Sequence, residues 1–391
     1  MSGKHFLSAL LASAVAALSV AAAGVSAPSP TFGTGPSTAM EMREHILASL
    51  TGKATGFAYA IVKDGQLVVS EGVGKARIPG DGNRNMKPSS RLDVMSVTKT
   101  TTAVAVLQLL DELDLPLDSK ISKWLPPEWA KGPGFRKGKN GLTFEELLTH
   151  RSGLDQAFLE LQQKGQEGPW QNNWDGLEFV VANGTHTDRS YAYKNANYAL
   201  MRIMIPALWR ATGDHPGINV INEANVGFWY LAYVQQRVFE PAGVYEVDCF
   251  ESNDATAVLA YNAQNPQTGS EVVEISPSEL DSCGGHGHLH LSALDLAKFM
   301  AHLTHGTLLD TPQLQVMDSK RLGWRSSSNK GENAGMYYHG GTGFLGDGRE
   351  LRSCVAKLPQ DIQTTLVVNS NITTGKDPCT ILTDAYKKAI A

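Results

Sequence analysis

The order of elements predicts an α/β (α+β) chain: an antiparallel sheet flanked by helices, built from the N- and C-terminal parts, with a mainly helical domain inserted between them. Two observations carry this. Near the N-terminus, Phe57-Ala-Tyr-Ala-Ile-Val and Gln66-Leu-Val-Val-Ser flank Asp64-Gly65, a turn pair whose backbone twist matches that of paired strands. At the other end, Tyr337-Tyr-His339, Leu351 to Leu358 and Gln363 to Val368 read as further strands, the last two joined at Pro359-Gln-Asp361. Between these sets the apolar spacing turns helical, with long loops. The expected units are a signal peptide over 1–23, a sheet domain over 28–115 plus 290–391, and a helical insert over 116–289.

With 391 residues, 42% hydrophobic and 19% charged, the chain can bury a large core in two or more folding units. A net charge of -5 gives no reason to expect nucleic acid. Lys4 and His5 precede an uncharged run from Phe6 to Val25, and Ala21-Ala-Ala23 offers a small-residue cleavage site. That is the pattern of a secretory leader; the run is also nearly long enough to be a retained anchor. Cleavage is the expectation, giving a secreted or periplasmic protein with no membrane attachment. Export makes Cys249, Cys283, Cys354 and Cys379 disulfide candidates. Four cysteines allow three pairings; Cys249–Cys283 and Cys354–Cys379 are expected, because each pair is near in sequence and falls in a separate substructure.

Ala39 to Leu50 has helical spacing at Met40, Met42, Ile46 and Leu50. A Gly/Pro/Asn-rich loop from Ile78 to Ser90 leads to a helix that ends near Leu115-Pro116. Thr143 and Glu146 make a capping-box pattern, and a breaker stands at Ser152-Gly153. Residues 156–190, rich in Gln, Asn and Gly and carrying Trp170 and Trp174, read as one long polar loop. Helices are expected over Tyr198–Ala211, Phe228–Phe239, Ser292–His302 and Cys379–Ile390.

One stretch carries chemistry. In Asp93-Val-Met-Ser96-Val-Thr-Lys99, a serine and a lysine three residues apart share one helix face. The following Thr102-Ala-Val-Ala-Val-Leu segment is apolar on nearly every side, as in a helix enclosed by protein. Burial favours a neutral, proton-accepting amine, and a helix N-terminus has free N–H groups where a negative oxygen would develop. Ser-x-x-Lys alone also fits an ordinary helix cap, and a second copy, Ser327-Ser-Asn-Lys330, sits in a polar run and reads as a solvated loop.

Two further motifs raise the first copy above the second: Tyr193-Lys194-Asn195 and His339-Gly340-Gly341-Thr342-Gly343. In the order Ser-x-x-Lys, Tyr-x-Asn, His-x-Gly, they resemble the motifs of the serine β-lactamase and penicillin-binding-protein superfamily. Leu147-Leu-Thr-His150-Arg-Ser152-Gly153-Leu154, Val238-Phe-Glu-Pro241-Ala-Gly243 and Ser292-Ala-Leu-Asp295-Leu also resemble segments of that superfamily, so the likeness runs from about residue 40 to the C-terminus. The tyrosine motif points to the class C β-lactamase-like branch; His339 in place of the usual lysine is more like its carboxypeptidases and esterases than its β-lactamases.

The resemblance implies a two-step acyl transfer on an ester or amide, without metal or cofactor, on a small-molecule or peptide substrate, by a monomer. Ser96 would be the nucleophile, with Lys99 and Tyr193 as a hydrogen-bonded base, the choice between them open. The amides of Ser96 and Thr342, with Gly341 beside them, would hold the oxyanion. Asn195 would orient Lys99, and His339 would lie by the leaving group or a substrate carboxylate. Trp170, Trp174, Phe344 and Leu345 are expected around the pocket. Two departures stand out: Lys194 puts a charge beside the tyrosine, and His286, His288 and His290 would share one face of an extended segment, which is metal-ligand spacing. Packed or surface histidines near a tight turn account for the same residues. The rival functions are an inactive binding or regulatory member of the fold, a β-lactamase and, last, a metal-dependent enzyme.

Overall fold

In the computed structural model of the protein, which describes residues 38–132, 141–154, 159, 163–164, 172–183, 187–215, 217–250, 256–266, 282–344 and 348–391, the first hairpin forms as the sequence predicts. Strands β1 (Gly56–Lys63) and β2 (Gln66–Arg77) pair antiparallel. Asp64 and Gly65 between them take φ of 51° and 73°, the left-handed pair that turns a twisted ladder without splaying it. The expected signal peptide over 1–23 lies outside the described residues.

Two short ribbons come next, β3 (Arg84–Asn85) and β4 (Leu92–Asp93), the latter paired with β5 (His290–Leu291). The C-terminal strands are β6 (Tyr337–Phe344), β7 (Glu350–Leu358) and β8 (Ile362–Val368). The main sheet has six strands in the order β3-β2-β1-β8-β7-β6. Its centre is the β1–β8 ladder, from Phe57 opposite Val368 to Lys63 opposite Ile362, so the two ends of the chain build one antiparallel sheet.

Strand β1 is apolar from Phe57 to Val62 because both its faces are covered. Phe57, Tyr59 and Ile61 enter a cluster with residues of α1 (Thr38–Leu50) and of the closing helix, while Ala58, Ala60 and Val62 face the other side. The larger cluster joins that second face to the helical region. There α2 (Thr98–Glu112) is buried at every position from Thr98 to Leu107; from Ala103 on, the all-round apolar sequence requires it.

Next come α3 (Phe144–Leu148), opened by the Thr143/Glu146 capping box; α4 (Trp174–Asn183); α5 (Asn195–Thr212); and α6 (Glu223–Val234), which runs into one π turn over Gln235–Phe239. Helix α7 (Ala293–Thr304) is capped by Ser292, α8 (Thr311–Lys320) by Asp310, and α9 (Pro378–Ala389) by Asp377.

Two expectations are corrected, and one helix appears for which none was stated. The polar stretch over 156–190 contains α4, whose Leu177, Val180 and Val181 are buried; its Gln/Asn-rich flanks hid the helical spacing. Helix α8 was not anticipated because it buries only Met317 and carries almost no apolar face. In the loop holding the second Ser-x-x-Lys copy, Ser328 is fully buried rather than solvated.

Both expected disulfides are formed, Cys249–Cys283 and Cys354–Cys379. Among the described residues, no helix is long and apolar enough to cross a membrane.

Candidate active site

The turn before α2 is held in an unusual shape. Met95 takes a φ of 51°, which a side chain rarely adopts without support. The support is Asp93, whose buried carboxylate accepts the Met95 amide at 2.6 Å and faces His288 Nδ1 at 2.8 Å. Ser96 follows in a single 3-10 turn over Met95–Val97, one step before α2 proper.

Lys99 is completely buried, and its Nζ stands 3.0 Å from Ser96 Oγ, 2.8 Å from Asn195 Oδ1 and 2.6 Å from the His286 carbonyl. Two of these three partners can only accept. A neutral amine has two N–H groups for them and one lone pair left for the serine proton. Burial, with help from the Arg325 charge, holds Lys99 well below the ordinary lysine range, so its surroundings favour that neutral form.

Tyr193, in the loop before α5, lies over the same amine, its ring centroid 5.1 Å from Lys99 Nζ. Its hydroxyl is buried and makes no hydrogen bond of ordinary length among the described residues. Burial raises its pKa, although Ser96 and Arg325 are near enough to oppose the rise.

His339 is placed differently from the expectation. It is buried, donates from Nδ1 to the Gly340 carbonyl at 2.8 Å, and packs 6.1 Å from the Tyr193 ring. Burial pushes it well below its usual range, so it stands as a neutral wall behind Tyr193 and is not among the residues lining the cavity.

The cavity, about 600 Å³, is lined by Ser96, Tyr193, Asn195, Arg325, Gly341 and Thr342, and runs on to the start of α9 at Asp377 and Cys379. Strand β6 reaches the nucleophile turn because it is nearly without side chains there. A Cβ on Gly341 would lie 2.3 Å from the Val94 carbonyl, and one on Gly343 would lie 2.1 Å from Met95 Cε. Ser353 Oγ on β7 donates to the same Val94 carbonyl at 2.6 Å. The sheet edge thereby fixes the turn that presents Ser96.

The family model described as beta-lactamase matches residues 39–380. The chain belongs to the beta-lactamase family. Within that family it is 24% identical over 258 residues to PbpX of Bacillus subtilis (strain 168), a protein named for penicillin binding, covering 66% of this chain and 57% of the relative. It is 31% identical over 111 residues to esterase EstB of Burkholderia gladioli, 28% of this chain and 26% of the relative. In both cases the match spans less than two thirds of the relative's length.

Among solved structures, the octameric penicillin-binding protein homologue from Pyrococcus abyssi superposes with a TM-score of 0.63 at 18% identity, covering 90% of this chain and 77% of that one. The D-amino acid amidase from Ochrobactrum anthropi SV3 gives 0.61 at 16% identity, covering 90% and 100%. These likenesses carry the fold. An octamer with the beta-lactamase fold removes any ground for taking the monomer as given.

For this beta-lactamase-family chain, the structure brings together Ser96, Lys99, Tyr193, Asn195, Gly341 and Thr342. The rings of His286 and His288 pack edge-on, 5.2 Å between centroids, but among the described residues the three histidines of 286–290 form no metal-ligand group. Positive φ at Gly284, Gly285 and His288 breaks the extended segment: His286 turns its carbonyl to Lys99, His288 goes to Asp93, and His290 is buried with neither ring nitrogen hydrogen-bonded among the described residues. Trp174 packs edge-on against Trp129, 4.8 Å between centroids, in the core rather than on the pocket. Phe344 is 73% exposed at the end of β6 and is not among the cavity's lining residues; Trp170 and Leu345 lie outside the described residues.

The sequence reading missed Arg325. Its guanidinium carbon sits 5.5 Å from the Tyr193 ring centroid and it lines the cavity without an acidic partner among the described residues. No local motif marks it, because a backbone bond from its amide to Tyr338 O, 2.9 Å long, places it beside β6.

Proposed function

We propose that the protein is an exported serine hydrolase that cleaves an ester or amide through an acyl-enzyme on Ser96, of esterase or D-alanyl-D-alanine carboxypeptidase type. The observation that carries this is the environment of Lys99: an amine shut off from water, with acceptors for two hydrogens and the Ser96 hydroxyl on its remaining side. That supports Lys99 as the base of the first step, since Tyr193, raised by burial, keeps its own proton.

In that step Ser96 Oγ bonds to the carbonyl carbon as its proton passes to Lys99 Nζ. The carbonyl oxygen becomes an oxyanion held by the Ser96 and Thr342 amides, each such donor contributing about 10²–10³ in rate. Collapse breaks the bond to the leaving alcohol or amine, which takes the proton back. Water then attacks the ester on Ser96 by the same path in reverse. Export is supported by the two disulfides, which persist in oxidising compartments. Arg325, on the cavity wall with no acidic partner among the described residues, supports substrates that carry a carboxylate on the leaving-group side.

Intact-mass analysis after a serine-directed active-site probe tests this. One adduct on Ser96, lost in Lys99→Ala, is expected; no adduct on the wild-type protein between pH 6 and 10 overturns it. A panel of a nitrophenyl ester, a cephalosporin and a D-Ala-D-Ala peptide then separates esterase, β-lactamase and peptidase.

A further inference from the structure

A second cavity, about 240 Å³, lies across a thin ridge of chain from the catalytic one. Along that ridge Arg325 and Ser327 line the first cavity, while Trp324 and Ser326 line the second. The charges around the second are of one sign: Arg151, Lys320, Arg321 and Lys330 border it, and no carboxylate does.

Lys320 is matched by Glu145 at 2.6 Å. The other three have no acidic partner among the described residues. Arg321 uses only Nε, on the Ser328 carbonyl, and Arg151 has a single long contact, 3.5 Å to the Arg189 carbonyl. Position at the C-terminus of α8 accounts for a cation at Lys320 through the helix dipole. It does not account for Arg151, which follows α3, or for Lys330, which closes the second Ser-x-x-Lys run.

A buried histidine belongs to the same wall. His150 is 5% exposed, and its Nδ1 accepts from the Lys194 amide at 3.3 Å and the Asn197 side chain at 3.0 Å. Its proton is therefore on Nε2. That N–H has no hydrogen-bond partner among the described residues, and His150 is part of the cavity wall.

The geometry points to a binding site for a phosphate group, free or esterified, in the cavity bounded by His150, Arg151, Arg321 and Lys330. Three unbalanced cations call for more than the single charge of a carboxylate, and two guanidinium groups match the paired oxygens of a tetrahedral oxyanion. Tyr191 and Trp324 on the wall provide apolar surface for a small ester group. This inference stands apart from the chemistry at Ser96, although the shared ridge and the tilted packing of His150 on Tyr193, 4.5 Å between centroids, place the site next to it.

Calorimetric titration of the whole protein with inorganic phosphate and with phenyl phosphate, at ionic strength held constant with chloride, tests it. Saturable binding of at least one of them at one site per chain is expected, weakened tenfold or more in Arg321→Gln/Lys330→Gln. The single Lys330→Gln change, on an exposed side chain, gives a smaller loss should the double variant fold poorly. Tighter binding of phenyl phosphate identifies an ester as the ligand, and equal or tighter binding of phosphate identifies the free anion. Absence of saturable binding by both, affinity unchanged in these variants, or binding abolished by Arg325→Gln, which would put the anion in the catalytic cavity, each overturns the proposal.

Discussion

Gly341 lies directly against the carbonyl of Val94: a Cβ on this glycine would come within 2.3 Å of that oxygen and 2.5 Å of Ser353 Oγ. Both obstacles are fixed, one being backbone and the other hydrogen-bonded to it. Gly341→Ala must therefore push β6 away from the nucleophile turn. A loss of about 1–3 kcal/mol, as for overpacking elsewhere, is expected in urea unfolding, with a larger proportional loss in the rate of Ser96 acylation.

Replacing Lys99 separates its charge from its basicity. Lys99→Ala removes the base and should lower acylation by about 10²–10⁴. Lys99→Arg keeps a cation that cannot lose its proton, so it should be no better than alanine in single-turnover acylation. An arginine variant with near wild-type rate would rule out proton transfer to this residue.

Arg325→Ala should discriminate among substrates. For one with a carboxylate on the leaving-group side, KM should rise by roughly 10–100-fold, the worth of a charge-assisted bond of about 1.5–3 kcal/mol. For a neutral ester it should change little. Steady-state kinetics on the two side by side checks this.

Stability should fall as the solution is made mildly acidic. Burial holds His286 and His339 well below 6.5 and pushes His150 down to about 3. Below pH 6.5 the unfolded chain therefore binds protons that the native state refuses. The slope approaches about 1.4 kcal/mol per pH unit for each histidine, or roughly 4 kcal/mol for the three. Lys99, lowered from 10.5, acts in the same direction from higher pH. Urea midpoints between pH 7 and 5 should drop accordingly, and His150→Gln should flatten the dependence.

The two disulfides should differ in effect. Each closes a loop of a few tens of residues, separations of 34 and 25, so each contributes about 3.5–4 kcal/mol to stability. Cys283 directly precedes the Gly284-Gly285-His286 turn whose carbonyl holds Lys99. Cys249→Ala/Cys283→Ala should thus also slow acylation. Cys379 lines the cavity, with Sγ 3.2 Å from a Cβ placed on Gly340, and Cys354→Ala/Cys379→Ala should change substrate preference more than the acylation rate.

Much of this architecture is written locally. Asp64-Gly65 permits few backbone shapes, and two residues with positive φ commit the flanking apolar runs to a hairpin. Thr143 with Glu146 and Ser292 with Asp295 are closed hydrogen-bond circuits within four residues, so they can be read off the chain. Ser96 and Lys99 are legible for the same reason, one helical turn being a local distance. Helix α8, with a single buried residue, offered no such signal, and α4 was masked by its polar surroundings.

The sequence by itself determined the strands at both ends, the buried helix behind Ser96 and the order of the three motifs, because each rests on neighbours in the chain or on apolar periodicity; among three possible cysteine pairings it did not choose, and the fold did. Tertiary structure decided what those motifs face. The same five-residue stretch from His286 to His290 could have been a metal-ligand row. Left-handed turns at Gly284, Gly285 and His288 instead sent one carbonyl to Lys99 and one imidazole to Asp93. Arg325 entered the cavity, and His339 left it, through contacts between elements far apart in sequence. Such contacts depend on how a sheet edge meets a helix, and no local pattern of residues encodes that meeting.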